Sequence, residues 1–447
     1  MRQLNIIFKL VGILLLNLSN FAITAFLVKS MPPTKTTTRE INKPLSSAYI
    51  QSNFNSLGFS KRARSKLTAK VNSNENQSSS STGFTEMRSS DFKNSNTQSG
   101  TSTLQQEHQQ PIISIGVVAD IQHAPIPDGF SYGGVPRYYR HALKVAGVAA
   151  EHFQKSEVDL VVNLGDIIDG KCAEVKIEQN NNSKCGVGLS AIHNVIEALS
   201  TYDHGPILHT YGNHELYNLD RQQIGKLLNI PFIKEKNSEL VGYRSHTIND
   251  IRFIVLDTYD IAMMGRCPDT SDKRKRAEQI LEKNNPNYPQ NENSPENLSG
   301  LEKRFVAFNG GVGSTQLSWF KSTLAKAKEN NERVIVLSHQ PILPKSSSPV
   351  CLVWNYDEVL SIMREYKGTI IASFAGHAHK GGYKRDTESG IHFRVFEAVL
   401  ESPDPICTYG FVDVFQNEIR VRGEGRCNDA IYDLTHLDNF DKLQNLA

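Results

Sequence analysis

Hydrophobic residues in this chain fall in short dense runs, each closed by polar residues. The runs are IISIGVVA before Asp120, VDLVVNL before Gly165-Asp166, PILHTY before Gly212-Asn213-His214, RFIVL before Asp257, RVIVL before Ser338-His339 and TIIASFA before Gly376-His377. Several are apolar at every position instead of alternating, the pattern of strands buried on both faces. Between some of them the spacing becomes helical. Arg137 to Ser156 is one such stretch; Ser314 to Lys328 is another, with Leu317, Phe320 and Leu324 on one face and Ser314 placed to cap it. Later, HFRVFEAVLE and GFVDVFQNEIRVRG read as further strands, the second folding back at Gln416-Asn417. Strands alternating with helices predict an α/β domain. In such domains ligands bind outside the carboxyl ends of the strands. Five of the six ends carry Asp, Asn or His, and the sixth carries Asp257 and Asp260.

The pattern does not start at residue 1. Arg2 and Lys9 precede an uncharged apolar run from Leu10 to Val28, so residues 1–28 read as a signal peptide or a signal anchor. From Phe26 to Lys70 the chain is basic and rich in Ser and Thr, with Glu40 its one acid. That is a transit-peptide composition, and after a signal segment it resembles the two-part presequences that reach plastids through the secretory route; a solvated basic linker has the same composition. The expected destination is therefore the secretory route, then a plastid or a membrane anchorage, with membrane or translocation machinery as partner. From Val71 to Gln110 polar residues dominate, and disorder is expected. The predicted organisation is 1–28 signal, 29–110 basic and Ser-rich linker, 111–428 folded domain, and 429–447 C-terminal tail.

Composition adds little. The chain has 447 residues, 39% hydrophobic and 21% charged, with a net charge of +2, so no strong field points to a nucleic-acid partner. None of the six cysteines forms a Cys-x-x-Cys pair, which argues against a structural zinc knuckle. Cys172 and Cys185 share a polar loop and are the candidate disulfide; free buried thiols are the other reading. The oligomeric state is left open.

The chemistry sits at the strand ends. Asp120 and Gln122 put a carboxylate and an amide two residues apart, where both can face one side. Asp166 follows a glycine, Asn213-His214-Glu215 offers an amide, an imidazole and a carboxylate in succession, and His339, His377 and His379 supply three more imidazoles. Singly, each has an ordinary explanation as a turn or cap residue. Seven oxygen and nitrogen donors, all at strand ends, point together to a metal centre.

Their order, DIQ, GDIIDG, GNHE, SH and GHAH, resembles the signature of the calcineurin-like metallophosphoesterases, with Gln122 where those carry His. The fuller set, with RYYRHAL, GNHELYN, LDTYD, FNGGVG, SHQPILP, WNYDEV, GHAHKGGY and a late LE, resembles the manganese-dependent ADP-ribose/CDP-alcohol diphosphatase family. The resemblance implies a four-layer α-β-β-α sandwich behind a disordered N-terminal tail. It implies one metal on Asp120, Gln122, Asp166 and His379, a second on Asp166, Asn213, His339 and His377, and a bridging Asp166. A hydroxide between the ions is the implied nucleophile, and His214 the group that assists the leaving oxygen, with Glu215 orienting it. An amide in place of an imidazole makes the first site richer in oxygen, which favours Mn²⁺, with Mg²⁺, Zn²⁺ and Fe as alternatives. The implied reaction is hydrolysis of the diphosphate of ADP-ribose or a CDP-alcohol. Candidate substrate contacts are Arg137, Tyr132, Tyr138, Asn309, Cys351 and Tyr383, with backbone amides from Gly310-Gly311 and Gly381-Gly382. A protein phosphatase, a cyclic-nucleotide phosphodiesterase or a non-catalytic scaffold would share the metal motifs. A purple acid phosphatase would carry Tyr where Asp169 stands.

Overall fold

The computed structural model describes residues 110–175, 186–231, 233–235 and 239–435. The predicted signal, the basic linker and Cys185 lie outside the described residues, and Cys172 is a buried free thiol.

Two six-stranded sheets form the centre. The first contains β1 (Ile113–Val118), β2 (Leu160–Asn163) and β3 (Ile207–His209), parallel to one another. The second contains β4 (Arg244–Ile248), β5 (Ile251–Val255), β6 (Arg333–Leu337), β7 (Ile370–Ala375), β8 (Gly382–Arg385) and β9 (His392–Val395). The first sheet is completed by β10 (Tyr409–Val414), β11 (Glu418–Glu424) and β12 (Ala430–Asp433). The strand orders are β12-β11-β10-β1-β2-β3 and β8-β9-β7-β6-β5-β4.

The continuous apolar runs are explained by what covers each face. Ile113, Ile115 and Val117 of β1 pack with Phe253, Ile335, Leu337 and Phe374 between the sheets. Val334 and Val336, on the opposite face of β6, pack instead against α6 (Ser314–Glu329) and α7 (Tyr356–Glu365) through Phe320, Leu324 and Met363. The outer face of the first sheet is covered by α1 (His141–Lys155) and α2 (Gly186–Leu199). The expected α-β-β-α order of layers is therefore present. The cleft described below is edged by α3 (Asn213–Asn218), which is followed in the chain by α4 (Arg221–Leu227) and α5 (Asp272–Asn284).

Three expectations need correction. The first helix begins at His141, not Arg137, because Pro136–Arg137 pairs back on Gly129–Phe130 as a small hairpin. Gly313, not Ser314, caps α6, and its N–H donates to Asp260 Oδ2 at 3.0 Å. The folded region does not stop at 428: β12 pairs with β11, and its Tyr432 is buried against Tyr383 and His392 at ring distances of 4.7 and 5.1 Å. A large buried side chain of this kind should matter to stability. Tyr432→Ala is expected to lower unfolding free energy by about 3 kcal/mol in urea titration; a loss under about 1 kcal/mol would place this strand outside the cooperative unit.

Candidate metal centre and cleft

The loops that leave β1, β2 and β7 carry most of the donors, and they do so in unusual backbone conformations. Asp120, Gln122, Asp166 and His377 have φ of 50°, 44°, 54° and 65°. Positive φ is uncommon outside glycine, and such strain collects where function demands it. Close approach is equally demanding. A Cβ on Gly212 would lie 2.1 Å from Asp166 Oδ1, and one on Gly165 would lie 2.6 Å from His339 Nδ1. Only glycine leaves room at either place.

The side chains converge on Asp166. Its Oδ2 lies 3.1 Å from Gln122 Nε2 and 3.2 Å from His339 Nε2, while Oδ1 accepts the His214 backbone N–H at 2.9 Å. On one side His377 Nδ1 is 3.2 Å from His339 Nε2, and the ligand atoms of Asp166, His339 and His377 all lie within 4.8 Å of one another. On the other side His379 Nε2 is 3.6 Å from Asp120 Oδ1. Asn213 lines the same cleft, and its Oδ1 accepts from the Tyr259 hydroxyl at 3.1 Å. The donors thus form two groups with Asp166 between them, the arrangement that the family resemblance implied.

Partners behind the imidazoles decide which ring nitrogen faces inward. His339 Nδ1 meets the Leu164 carbonyl at 2.6 Å, His379 Nδ1 meets Glu401 Oε1 at 3.0 Å, and His377 Nε2 meets Asn309 Oδ1 at 2.9 Å. Each acceptor takes an N–H, which leaves the other nitrogen bare toward the centre, as a metal ligand requires. Arg426 in turn holds Glu401, with Nη2 3.1 Å from Oε2.

Charge is in short supply inside this group. Burial pushes the Asp120 carboxyl up to about 6. Burial acts the same way on Asp166, but the imidazoles of His339 and His214 outweigh it and hold that carboxyl well below its usual range. Burial pulls His339 down, yet Asp166 beside it raises it to about 9. His377 is held down by burial and by His339. Two carboxylates and three inward imidazoles compete here for protons, and divalent cations would let all of them adopt their ligating forms. The donor set therefore fits two such ions.

Gln122 stands between the centre and a cation. Its Oε1 accepts from Arg137 Nη1 at 3.2 Å, so its NH₂ faces Asp166 and His379. A guanidinium has only donors and can hold only the oxygen end of the amide. In this orientation Gln122 turns its NH₂ to the centre, and a half-turn of the carboxamide presents its oxygen there instead.

Glu215 also needs correction. It does not orient His214. Its two oxygens accept the backbone N–H groups of Ile167 at 2.6 Å and Asp166 at 3.2 Å, so it pins the loop carrying Asp166. Burial, and then Asp166, push its carboxyl up to about 8. His214 is oriented instead by the Gly170 N–H, which donates to Nδ1 at 2.7 Å. That places the ring proton on Nε2, 3.9 Å from Asp166 Oδ2.

A cleft of about 790 Å³ opens above the donors. Arg137 and Cys351 line it, as expected, and burial pushes the Cys351 thiol up to about 12, so it is neutral there. Tyr132, Tyr138, Asn309 and Tyr383 do not line it. Tyr132 stands fully exposed at the hairpin tip, Asn309 is buried behind His377, and Tyr383 stacks on Tyr432. Two of the four glycine amides are engaged within the chain: Gly310 donates to Gln340 and Gly381 to the Ala378 carbonyl. Sequence reasoning missed Phe308, Tyr217 and Lys380, which line the cleft. Each lies within a quoted motif, but a single aromatic or lysine carries no spacing signal of its own.

The family model for calcineurin-like phosphoesterases matches residues 113–381. A manganese-dependent ADP-ribose/CDP-alcohol diphosphatase from Oryza sativa subsp. japonica is 40% identical over 323 residues, 72% of this chain and 94% of that protein. The protein of that name from Arabidopsis thaliana is 38% identical, over 73% of this chain and 98% of its own length. A dimetal phosphatase from Danio rerio, known from its crystal structure, superposes with a TM-score of 0.66 at 30% identity, covering 73% of this chain and all of the other. Donor geometry, fold and these likenesses agree: the chain belongs to the calcineurin-like phosphoesterases and, within them, to the family of manganese-dependent ADP-ribose/CDP-alcohol diphosphatases.

Proposed function

We propose that this enzyme hydrolyses the diphosphate bond of ADP-ribose and of CDP-alcohols such as CDP-choline and CDP-glycerol, with Mn²⁺ as its metal. The products are a nucleoside monophosphate and a phosphorylated sugar or alcohol. The reading is carried by one observation, the 790 Å³ cleft directly over the two groups of donors. A drug-sized or nucleotide-sized ligand fits such a volume. A flat surface there would suit a protein phosphatase instead. The relatives' names supply the substrate and the metal.

The chemistry that two divalent ions held there would supply is Lewis acidity toward the phosphoryl group and the attacking water. The chain's own groups do the rest. Asp120, Gln122, Asp166, Asn213, His339, His377 and His379 would hold the ions. His214 presents its Nε2 proton to the cleft and can give it to the departing oxygen. Two cations flank the centre. Arg137 is engaged with Gln122 and Asp169, with Nη1 3.4 Å from the carboxylate. Lys380 lines the cleft and has no ion-pair partner among the described residues, so its charge is available to a second phosphoryl group. Phe308 and Tyr217 offer aromatic faces.

For residues 1–70 we propose a presequence that enters the secretory route and leads on to a plastid. A fluorescent reporter fused to these residues tests this, and a cytosolic signal would overturn it.

With Mn²⁺, purified protein is expected to release AMP from ADP-ribose and CMP from CDP-choline; good turnover of p-nitrophenyl phosphate with both nucleotides intact would refute the substrate reading. Lys380→Met should lower kcat/KM for ADP-ribose by about tenfold, worth ~1.4 kcal/mol, and leave bis(p-nitrophenyl) phosphate unaffected. His214→Ala should cost roughly 10² or more in kcat on ADP-ribose, and far less on esters whose p-nitrophenolate leaves unaided. Glu215→Gln can accept only one of the two backbone N–H groups. It should lower stability by about 1–3 kcal/mol and reduce kcat without moving the pH profile; a shifted profile would restore the orienting role for Glu215.

A further inference from the structure

The sixth strand end, LDTYD, carries two carboxylates that the metal centre does not use. Asp260 is spent on Gly313, Gln316, Arg266 and Lys273. Asp257 is spent differently. Its Oδ2 pairs with Arg221 Nη1 at 2.6 Å and accepts the Gly242 N–H at 3.0 Å, and its Oδ1 accepts the Tyr259 N–H at 3.1 Å. Arg221, the first residue of α4, is itself buried and donates through Nη2 to the Tyr259 carbonyl. One buried ion pair therefore grips Tyr259 by both of its backbone groups.

The Tyr259 side chain reaches from this clamp to the centre. It is fully buried, its ring centroid lies 5.9 Å from that of His339, and its hydroxyl donates to Asn213 Oδ1 at 3.1 Å. Asn213 is the one carboxamide of its group, and a half-turn of its side chain would exchange the oxygen for the NH₂. Its helix, α3, is a short one of six residues and supplies no long-range rigidity. A buried ion pair is an expensive way to stabilise an interior, and apolar residues of similar volume do as well or better. What it gives here that apolar packing does not is a fixed hydroxyl position.

We propose that Tyr259, fixed by the Arg221–Asp257 pair, is a positioning residue that orients the Asn213 carboxamide, and so sets the affinity of the ion held by Asn213, His339 and His377 without touching the other ion. Residues behind a ligand commonly change metal affinity by about 10–100-fold when removed. The inference rests on the dimetal centre and not on the identity of the substrate.

The test is Mn²⁺ binding to metal-stripped full-length protein, followed by calorimetry and by the electron paramagnetic resonance signal of free Mn²⁺, with no substrate present. Wild type should bind two ions in resolvable steps. Asn213→Ala identifies the step that belongs to the second ion. Tyr259→Phe keeps the ring and removes only the hydroxyl. It should weaken that same step by tenfold or more, leave the other within about twofold, and leave Tm nearly unchanged. Unchanged affinity at both steps, or equal weakening of both, would overturn the proposal. Asp257→Asn should weaken the same step, and its combination with Tyr259→Phe should be far less than additive; if Asp257→Asn fails to fold, Tyr259→Phe decides alone. Wild type that binds fewer than two ions would instead count against the dimetal reading itself.

Discussion

A carboxylate that keeps its charge at 1% exposure must be surrounded by donors, and Asp166 draws them from three other stretches of chain. The His214 N–H meets one oxygen, and Gln122 and His339 meet the other. Gly212 passes so close that no side chain could stand there. Glu215 holds the backbone N–H of Asp166 itself. These contacts fix the ends of β1, β2, β3 and β6 relative to one another, and the strained φ values of Asp120, Gln122, Asp166 and His377 are the local cost of bringing them together. The two sheets supply the rigidity that makes that cost bearable, since their facing sides are filled by Ile113, Val117, Leu160, Phe253, Leu337 and Phe374.

Most of this was legible in the sequence because strand ends are legible. A run such as TIIASFA followed by Gly376-His377 gives both the element and the place where its chemistry must emerge. The three imidazoles and Asp166 could be assigned from that alone. What failed were statements about which group a side chain would meet. Glu215 follows His214 directly, so a carboxylate–imidazole pair was natural to expect, yet the helical turn of α3 sends the two side chains to different neighbours. Asn309 is similar: its place in FNGG suggested a ligand-facing amide, but the chain buries it behind His377. Tyr383 was drawn away by a strand that begins past 428, where the apolar pattern is too short to announce itself.

Asp257 and Asp260 end a strand beside five others that bear donors, yet both face cations of the chain itself. Of their partners, Arg221 comes from α4, Lys273 from α5 and Arg266 from the loop before α5, and no spacing rule connects them. Buried carboxylates either face a cation that binds from outside or one that the chain provides. The sequence could not choose between these, because the choice depends on how the segment from Leu219 to Asn284 folds over the end of β5.

Gln122 shows how one substitution is absorbed by such a crowded centre. Where the broader family carries an imidazole, this chain carries an amide, and an amide has two unlike ends. Arg137 takes the oxygen, and the NH₂ then lies against Asp166 and His379. The same guanidinium lies 3.4 Å from Asp169, the position that separates this chain from a purple acid phosphatase. Arg137 is thus partly neutralised before any anion arrives, while Lys380 across the cleft is not. The two cations are therefore unequal by construction. Arg137 shapes the donor set from behind while lining the cleft, and Lys380 carries the unspent charge, so the extra negative charge that distinguishes a diphosphate from a simple diester should be felt at Lys380 first.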